Sequence, residues 1–366
     1  MRKILIAGRG EIAVRIAQAC RDAGVASAAI YASPDGGAAH VQAADEAIPL
    51  PGTTPGATYL DSARVLRAAL ESGADALHPG YGPLADSAEF AQAVLDAGLT
   101  WIGPPPAAIR LLGSKLSARQ VARQAGAPLL PGMSAPAADA AEVAAFATEY
   151  GLPVAIKAVF GGGGRGITVV SSAAEIRRGF ATALRAAAGA SERAECFAER
   201  YLDHARHLET QCLADAHGAV AVISTRDCSL QRRYQKIVEE APAPFLPADL
   251  DTRLRAVSAA ILLSVGYVGA ATCEFLLGQD GTLAFLEVNP RLAMAHPVSE
   301  EVAGLDLVRE TFRLAEGEAL GYADPPVRGH AVQFRIYAED PGRGFAPAPG
   351  TVPCLLYTSP SPRDCS

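Results

Sequence analysis

The 366-residue sequence has few cysteines and no long hydrophobic run. Its seven cysteines form no Cys-x-x-Cys pair, which argues against a zinc site or a disulfide framework and favours free thiols in a reducing compartment. No apolar stretch reaches the roughly 20 residues of a membrane span, and the first residues show no signal-peptide cleavage pattern. We therefore expect a cytoplasmic protein in which any metal is bound by oxygen.

The sequence also has fewer basic than acidic residues. The 32 lysines and arginines are outnumbered by 39 acidic residues, so the net charge is −7. This balance argues against nucleic acid or a membrane surface as a partner, since either would need a basic face. Hydrophobic residues, in contrast, make up 50% of the sequence, which is enough to build large cores in two or three domains.

Short apolar runs alternate with helical patterns over residues 1–113. The run at residues 3–7 is followed by a glycine turn and by helical spacing of apolar residues. Further strand patterns lie at residues 25–31, 74–77 and 99–102, and a helical one at 59–70. This alternation predicts an α/β domain with a parallel sheet covered by helices on both faces.

The glycine turn also fits a dinucleotide-binding fingerprint, Gly8-x-Gly10-x-x-Ala13. A single match to this motif is weak, and no clear ribose-binding acid supports it, Asp35 being the nearest candidate. We therefore favour a simple tight turn over cofactor binding by about two to one.

A proline-rich turn at residues 103–106 and a short helix ending near Gly113 predict a boundary, with a second domain of the α+β type from Ser114. Its patterns are a strand on each side of a four-glycine loop within 153–168, three antiparallel strands at 195–227, a helix at 254–265, two strands carrying Glu274 and Glu287, a helix at 305–314 and a strand at 329–339.

The four-glycine loop has a cation on each side. Lys157 ends the strand before it, and Arg165 follows the glycines. Glycines let backbone N–H groups approach phosphate oxygens, and a lysine adds a positive charge. The spacing excludes a Walker-type loop. A flexible hairpin tip would explain the glycines but not both cations, so we interpret the loop as a lid over phosphates.

Polar groups at the following strand ends suggest a nucleotide. Glu199 ends a strand whose edge near Tyr201 and Leu202 could hydrogen-bond an adenine, and His207 lies on the next strand. Each residue alone is a weak signal, because strand acids are usually solvated and a lone histidine is more often structural.

Two turns add ligand-binding chemistry. Residues 226–242 concentrate cations and end in a proline, which predicts a loop suited to anionic ligands. The turn at residues 78–82 exposes Tyr81 at the carboxyl end of a strand, where the ligands of α/β folds bind.

Glu274, Glu287 and Asn289 lie at the ends of two apolar runs. Hard oxygen ligands of this kind suit a magnesium ion that is also held by substrate phosphates. The stretch after Arg291 is Leu-Ala-Met-Ala and contains no acid or base. The sequence therefore predicts a metal site beside a gap in proton chemistry.

Taken in order, seven motifs closely resemble those of the biotin carboxylase family: Arg9-Gly-Glu-Ile-Ala13, His78-Pro-Gly-Tyr-Gly82, Lys157 with the glycine loop, the run from Arg226 to Lys236, Glu239-Glu-Ala-Pro-Ala-Pro244, Glu287-Val-Asn-Pro-Arg291 and Arg335-Ile-Tyr-Ala-Glu-Asp340. The match covers roughly residues 1–352. It implies an ATP-grasp fold with a Rossmann-like N-terminal domain at 1–113, an ATP-grasp domain at 114–318 whose lid spans about 129–203, and a biotin carboxylase C-terminal domain that starts at 319 and is truncated at 352. We expect the Ser/Pro-rich residues 353–366 to be disordered or foreign to the fold.

The resemblance implies a ligase that uses ATP, Mg²⁺ or Mn²⁺, and bicarbonate to make carboxyphosphate, and then carboxylates N1 of biotin. It implies a biotin carboxyl carrier protein or domain and a carboxyltransferase subunit as partners, as in the acetyl-CoA carboxylase of fatty acid biosynthesis, and a homodimer. The sequence has no Met-Lys-Met biotin attachment motif.

Site residues follow from the resemblance position by position. The implied ATP contacts are Lys115, Lys157, Gly161, Gly162, Gly163, Gly164, Glu199, Leu202, His207 and Gln231. The implied metal ligands are Glu274, Glu287 and Asn289. Lys236 and Arg291 match the catalytic cations that hold bicarbonate, Arg335 matches the one that stabilises the biotin enolate, and Tyr81 matches a ring of the biotin pocket.

The sequence departs from the family where bicarbonate is activated. The family pattern after Asn-x-Arg is Leu/Ile-Gln-Val-Glu-His, in which the Gln binds bicarbonate and the Glu is its general base. Ala293, Met294 and Ala295 stand there instead, and loss of a general base typically slows a reaction by about 10²–10⁴-fold. Smaller departures are Phe160 for the first glycine of the loop, Tyr234 for a common His and Asp86 for the usual Glu.

Three hypotheses remain open at this point. They are a biotin carboxylase component with impaired bicarbonate activation, another ATP-grasp carboxylate ligase, and a nucleotide-binding subunit without catalysis.

Overall fold

The computed structural model describes residues 1–160, 166–190 and 194–350. The loop glycines Gly161, Gly162, Gly163 and Gly164 and the tail at 353–366 lie outside the described residues. The chain divides into two compact units, Met1–Gln333 and Phe334–Ser366. Within the described ranges, none of the helices has the length and apolar content to span a membrane.

The N-terminal part alternates strands and helices: β1 (Lys3–Ile6), α1 (Glu11–Ala23), β2 (Ala26–Ala32), α2 (Ala39–Ala43), β3 (Glu46–Leu50), α3 (Ser62–Glu71), β4 (Ala76–His78), α4 (Ala88–Asp96), β5 (Thr100–Trp101) and α5 (Pro106–Gly113). The five strands form a parallel sheet in the order β3-β2-β1-β4-β5. This is the predicted α/β arrangement, and the sheet order reverses between β1 and β4.

Both faces of this sheet are buried because helices cover each side. Ile4 and Ile6 of β1 pack into a core with Ile16 of α1, whereas Leu5 packs into a separate core with Val65 of α3. Alternate residues of one strand thus serve two cores, as the period of two along a strand requires. The helix α1 then ends at Gly24, which takes the left-handed conformation at φ 69°.

The next elements are α6 (Lys115–Gln124), α7 (Ala140–Tyr150), β6 (Val154–Ala158), β7 (Ile167–Val170), α8 (Ile176–Ala190) and β8 (Cys196–Arg200). The strands form an antiparallel sheet in the order β7-β6-β8. The expectation that β8 continues into one antiparallel set over residues 195–227 was therefore wrong. Cys196 and Ala198 of β8 share a core with Val154 and Ile156 of β6, and alternation along a strand does not identify its partner.

The largest sheet follows. Its region contains β9 (Arg206–Ala214), β10 (Val220–Asp227), β11 (Gln231–Arg232), β12 (Gln235–Lys236), β13 (Val238–Ala241), α9 (Ala248–Ser264), β14 (Gly269–Leu277), β15 (Leu283–Asn289), α10 (His296–Ala303), α11 (Leu307–Ala315) and β16 (Ala331–Phe334). Six of these strands form one sheet in the order β15-β14-β9-β10-β13-β16.

Residues 226–242, which we expected to be a loop, contain a hairpin instead. The strands β11 and β12 are joined by Arg233 and Tyr234, both at positive φ, 52° and 64°. Two central residues with positive φ match the twist of a tight hairpin. Neither residue is the glycine or asparagine that usually marks such a turn, so the sequence carried no signal for it.

The described residues of the second unit contain a short hairpin of β17 (Glu339–Asp340) and β18 (Ala346–Pro347), in which Glu339 pairs with Pro347. The single strand predicted at 329–339 is thus divided between β16 and β17. The domain boundaries predicted at 113 and 318 remain predictions.

Candidate active site

Three glutamates and an arginine form a row across four neighbouring strands of the large sheet. Glu287 of β15 is the register partner of Glu274 of β14, which is the partner of Glu209 of β9, which in turn is the partner of Arg226 of β10. Side chains at directly opposite positions share one face of a sheet, and like charges placed opposite each other are destabilising. We call these four residues the glutamate row. Because three of the four are acids at neighbouring positions, the row requires cations nearby.

Those cations are present. Lys236 of β12 donates to Glu209, and its Nζ lies 2.8 Å from Oε1 of Glu274. His207 of β9 places Nε2 2.7 Å from Oε2 of Glu274. At the far end of the row, Nζ of Lys115 lies 3.3 Å from Oε2 of Glu287.

Lys115 itself occupies an unusual place. It is the first residue of α6, after the N-cap Ser114, where the positive end of the helix dipole disfavours a lysine. The nearby Glu287 offsets this effect. A cation kept at such a position suggests that its charge serves an anionic ligand.

Charge pairing keeps the buried acids ionised. Burial alone would raise the pKa of Glu274, but Lys236 and then His207 outweigh it and hold that pKa well below its usual range. Burial likewise opposes ionisation of Glu209, whose pKa is lowered by Lys236 and Arg226. Burial would lower the pKa of Lys236, and the two glutamates instead raise it. At neutral pH all three groups are therefore charged.

Arg226 fixes the position of Glu209 within the row. Its side chain is fully buried, and its Nε and Nη2 donate to Oε2 of Glu209 at 3.0 and 2.9 Å. Further hydrogen bonds run to Gln211, Thr272 and Ser299, between 2.8 and 3.0 Å. Because Arg226 holds one oxygen of Glu209, the other oxygen is directed to Lys236.

The row continues toward the carboxyl end of β15. Nδ2 of Asn289 donates to Oε1 of Glu274 at 2.5 Å, and Nη2 of Arg291 donates to Oδ1 of Asn289 at 2.9 Å. Nε of Arg291 also lies 3.2 Å from Asp86. Burial raises the pKa of Asp86, with Arg291 opposing that shift. The structure thus brings together the predicted metal ligands and both predicted bicarbonate cations.

The donor set suits a magnesium ion. Glu274 and Glu287 face each other on one sheet face, and Asn289 lies two residues further along the same strand as Glu287. Two opposed carboxylates and an amide oxygen are the hard donors that Mg²⁺ prefers. A second group, His207 with Glu209 and Glu274, also brings its ligand atoms within 4.8 Å of one another.

Glu209 was not among the site residues predicted from the sequence. Its signal was the alternation of His207, Glu209 and Gln211, which puts three polar side chains on one face of an otherwise apolar strand. All three are buried. Buried polar residues at every second position of a central strand indicate a built site rather than a solvated face.

The predicted nucleotide residues of the smaller sheet form a second charged cluster. Lys157 of β6 donates to Glu199 of β8, and Nη1 of Arg119 from α6 donates to the other oxygen of Glu199 at 2.8 Å. All three are buried. Arg119 had no signal in the sequence. Both oxygens of Glu199 are thus engaged by cations.

Two other predicted ATP contacts flank these clusters. Nε2 of Gln231 lies 3.0 Å from Nδ1 of His207 and donates to the Cys228 carbonyl at 2.8 Å, so Gln231 orients the imidazole. Leu202 follows β8, next to Tyr201, whose N–H donates to the carbonyl of Pro153 at 3.1 Å.

The turn after Arg291 lacks side-chain chemistry. Ala293 and Ala295 are 7% and 2% exposed. The Ala293 carbonyl accepts from the backbone N–H of His296 at 3.2 Å and lies 2.8 Å from its Nδ1. We call residues 292–295 the alanine turn. It is held by backbone contacts and presents no acid to a substrate.

The predicted biotin residues lie apart in the sequence. Tyr81 follows β4, and its hydroxyl donates to Glu11. Arg335 belongs to the second unit, Phe334–Ser366. Their roles at biotin stay predictions.

Comparison with known proteins identifies the family. Residues 1–109 match the family model "Biotin carboxylase, N-terminal domain", and residues 114–323 match "Carbamoyl-phosphate synthase L chain, ATP binding domain". The chain is 54% identical to the biotin-dependent acyl-coenzyme A carboxylase alpha3 subunit of Mycobacterium leprae, covering 96% of this chain and 59% of that protein. It is 43% identical to the biotin carboxylase of Nostoc, covering 96% of this chain and 79% of that protein.

Solved structures agree. The biotin carboxylase domain of Hydrogenobacter thermophilus 2-oxoglutarate carboxylase, in complex with MgADP, ADP and bicarbonate, matches with a TM-score of 0.91 at 40% identity, covering 94% of this chain and 77% of that one. A biotin carboxylase–β,γ-ATP complex from Campylobacter jejuni matches with a TM-score of 0.91 at 36% identity, covering 94% and 78%. These findings confirm the predicted ATP-grasp fold, and the chain, which spans 59% of the length of the Mycobacterium leprae relative, belongs to the biotin carboxylase family.

Proposed function

We propose that this chain is the biotin carboxylase component of a biotin-dependent carboxylase, with an acyl-CoA as the final acceptor. The observation that carries the proposal is the glutamate row with Lys115, Lys236 and the imidazole of His207 beside it. Phosphoryl transfer depends mainly on positioning and on neutralising charge, and needs no covalent side chain. The Mycobacterium leprae subunit, at 54% identity, supports the acyl-CoA acceptor.

In the first step an oxygen of bicarbonate attacks the γ-phosphorus of ATP, and the proton of bicarbonate passes to water, since Ala293 and Ala295 cannot accept it. The bond from that phosphorus to the β,γ-bridging oxygen breaks, so ADP leaves and carboxyphosphate forms. Lys115 and Lys157 would hold the phosphates, and Lys236 and Arg291 would hold the anionic bicarbonate. Lys236 and Arg291 are already linked through Glu274 and Asn289, which fixes the two cations relative to each other before substrate binds.

A magnesium ion held by Glu274, Glu287 and Asn289 would neutralise phosphate charge when bound. Lys115 lies beside Glu287, and Asn289 directs Nδ2 to Glu274, so its amide would have to rotate to offer Oδ1 to the ion.

In the second step carboxyphosphate gives its carboxyl group to N1 of biotin on a carrier protein. The carboxyl C–O bond breaks, the N1–C bond forms, and the proton from N1 is taken up by the phosphate that leaves. Tyr81 and Arg335 are the residues that we assign to the biotin ring, from the family resemblance.

The alanine turn favours a second candidate function, an ATP-binding subunit with little catalysis. Ala293 and Ala295 cannot accept a proton from bicarbonate, so activation should be slower by about 10²–10⁴-fold than with a general base. The two candidates differ in rate rather than in ligand, because the ATP and metal residues are the same in both.

The deciding experiment is phosphate release from Mg-ATP, measured with and without bicarbonate and with and without free biotin. We expect Mg-ATP to bind and a slow release that needs bicarbonate and rises with biotin. Lys236→Met should remove the bicarbonate dependence, and Arg253→Met, an exposed cation on α9, is the matched control. Mg-ATP binding without any bicarbonate-dependent release would establish the second candidate, and absence of Mg-ATP binding would refute both.

A further inference from the structure

A cavity of about 590 Å³ lies among residues 7–84 and shares no residue with the glutamate row. Its walls come from the segments that follow β1, β2 and β4, together with Pro55, Tyr59 and Leu60. Because the sheet order reverses between β1 and β4, this is the switch point at which open α/β sheets bind ligands. Its volume is within the range of about 300–1,000 Å³ typical of small-molecule sites.

Asp35 presents a fixed carboxylate to this cavity. The hydroxyl of Tyr59 donates to Oδ2 of Asp35 at 2.6 Å, and Nη1 of Arg9 lies 3.6 Å from the same oxygen. Arg9 in turn stacks over the Tyr59 ring at 5.2 Å. Among the described residues no hydrogen bond or ion pair reaches Oδ1. An acid placed after the second strand of such a sheet is the group that binds ribose hydroxyls.

His40 also lies on the cavity wall, but its Nδ1 is buried and is not exposed to the cavity. The residue is 2% exposed, and its Nε2 lies 3.2 Å from the carbonyl of Ile30. A carbonyl can only accept, so Nε2 carries the proton and Nδ1 is an acceptor. Burial lowers the pKa of His40, which keeps the ring neutral. Nδ1 has no partner in the described part of the chain, and an unpaired buried acceptor is destabilising.

The cavity is less suited to a phosphate. Glu11 is the first residue of α1 and lines the cavity, so its carboxylate already faces the positive end of that helix. A phosphate would meet the carboxylates of Glu11 and Asp35, with Arg9 as the one cation on the described wall. The carboxylate of Asp35, in contrast, accepts hydrogen bonds from donors of the ligand.

We propose that this cavity binds a nucleoside, with the ribose hydroxyls on Asp35 and no requirement for phosphate. The glycine turn at residues 8–13 thus belongs to a site that keeps the ribose-binding half of a dinucleotide fold and lacks its phosphate-binding half. Asp35 has no part in the proposed carboxylase chemistry, although Tyr81, which we assign to the biotin ring, also lines this cavity.

The test is calorimetric titration of the full chain with adenosine after the ATP site has been filled with Mg-ADP, whose own binding is measured first. We expect a further equivalent of adenosine to bind saturably. Binding of 2′-deoxyadenosine should be weaker by about tenfold or more, since a hydrogen bond to a charged group is lost. AMP should bind no more tightly than adenosine. No saturable adenosine binding up to its solubility limit overturns the proposal, as does AMP binding more tightly.

Two variants locate the site. Asp35→Asn keeps an acceptor for Tyr59 but removes the charge, and it should weaken adenosine binding about tenfold or more while Mg-ADP affinity is unchanged. Leu60→Trp fills the cavity from a side chain that is 43% exposed, so the fold should tolerate it, and it should block adenosine. The matched control is Leu70→Trp, which is 50% exposed on α3 and lies outside the cavity. Wild-type adenosine affinity in both Asp35→Asn and Leu60→Trp would place the ligand elsewhere and end the proposal.

Discussion

The glutamate row ends on β15, a few residues before the alanine turn, and the two differ in how they are built. Each acid of the row contacts a cation, and the row itself is fixed by strand register across β15, β14, β9 and β10. The alanine turn is fixed by backbone contacts, with two methyl groups where the family has an amide and an acid. Charge neutralisation is thus part of the sheet, whereas proton transfer depends on the side chains of one short turn.

Because of this difference, the side chains for proton transfer can be lost from the alanine turn without disturbing the fold. The Ala293 carbonyl still contacts His296, and Nε2 of Gln333 donates to the carbonyl of Met294 at 3.3 Å. The helix α10 begins directly after the turn. A turn whose backbone is held by its neighbours should accept larger side chains in the family's positions.

The largest expected effect is a gain of activity when the family's side chains are restored in the alanine turn. The double variant Ala293→Gln, Ala295→Glu should raise bicarbonate-dependent phosphate release from Mg-ATP by about 10²–10⁴-fold, because the new carboxylate can deprotonate bicarbonate. The measurement is the steady-state rate at saturating ATP. An unchanged rate in a variant that still binds Mg-ATP would falsify the idea that the turn limits the reaction.

The control for this gain lies between the two positions. Met294 is the exposed residue of the turn, and Met294→Gln adds an amide without placing it at either family position. It should leave the rate unchanged. Ala295→Glu alone should recover more of the rate than Ala293→Gln alone, since the first supplies the base and the second only a contact to bicarbonate.

The next largest effect tests the glutamate row in the variant that carries Ala293→Gln and Ala295→Glu. Glu274→Gln removes a carboxylate that contacts His207, Lys236 and Asn289. We expect phosphate release to fall by about 10²-fold or more, the scale on which removing one preorganised electrostatic group slows a reaction. Glu301→Gln, at an exposed position of α10, is the matched control. Equal rates for the two variants would exclude Glu274 from the metal site.

The same contrast explains what the sequence could and could not predict. The N-terminal α/β sheet followed from periodicity, because buried parallel strands are continuous apolar runs. The acids Glu274 and Glu287 stood out at the ends of such runs. Glu209 and Arg119 did not, because their importance comes from pairing across strands and between α6 and β8, and register is a long-range property.

A third prediction concerns the stability that the row requires. Arg226→Met leaves Glu209 buried next to only Lys236 and His207, and should destabilise the fold by about 3–5 kcal/mol, the usual penalty for breaking a buried ion pair on one side. The measurement is the urea midpoint at neutral pH. Adding Glu209→Met should recover part of the loss, since replacing both partners by apolar groups is often close to neutral. A double variant less stable than Arg226→Met would contradict this account.

The smallest expected effect distinguishes the alanine turn from the glutamate row by the pH range in which each changes the stability of the fold. Burial lowers the pKa of His78 to about 3 and that of His296, which contacts the alanine turn, to about 4, from an ordinary value of 6.5. The unfolded chain takes up these protons below pH 6.5 and the folded chain does not. Their contribution to stability is therefore fully present above pH 6.5 and is lost as the pH falls toward 4, by up to about 1.4 kcal/mol per pH unit for each histidine.

The glutamate row responds in a lower window. The pKa values of Glu209 and Glu274 are depressed below the ordinary 4.5, burial being outweighed by Lys236, so their contribution is lost only as the pH falls below about 4.5. Unfolding free energy measured between pH 6.5 and 5 should thus depend on the buried histidines and not on the row. His296→Asn, which keeps an N–H for the Ala293 carbonyl, should flatten the profile in this window. His204→Asn is the control, because His204 is exposed and its positive φ suits asparagine. If His204→Asn flattened the profile as much as His296→Asn, the pH dependence would not arise beneath the alanine turn.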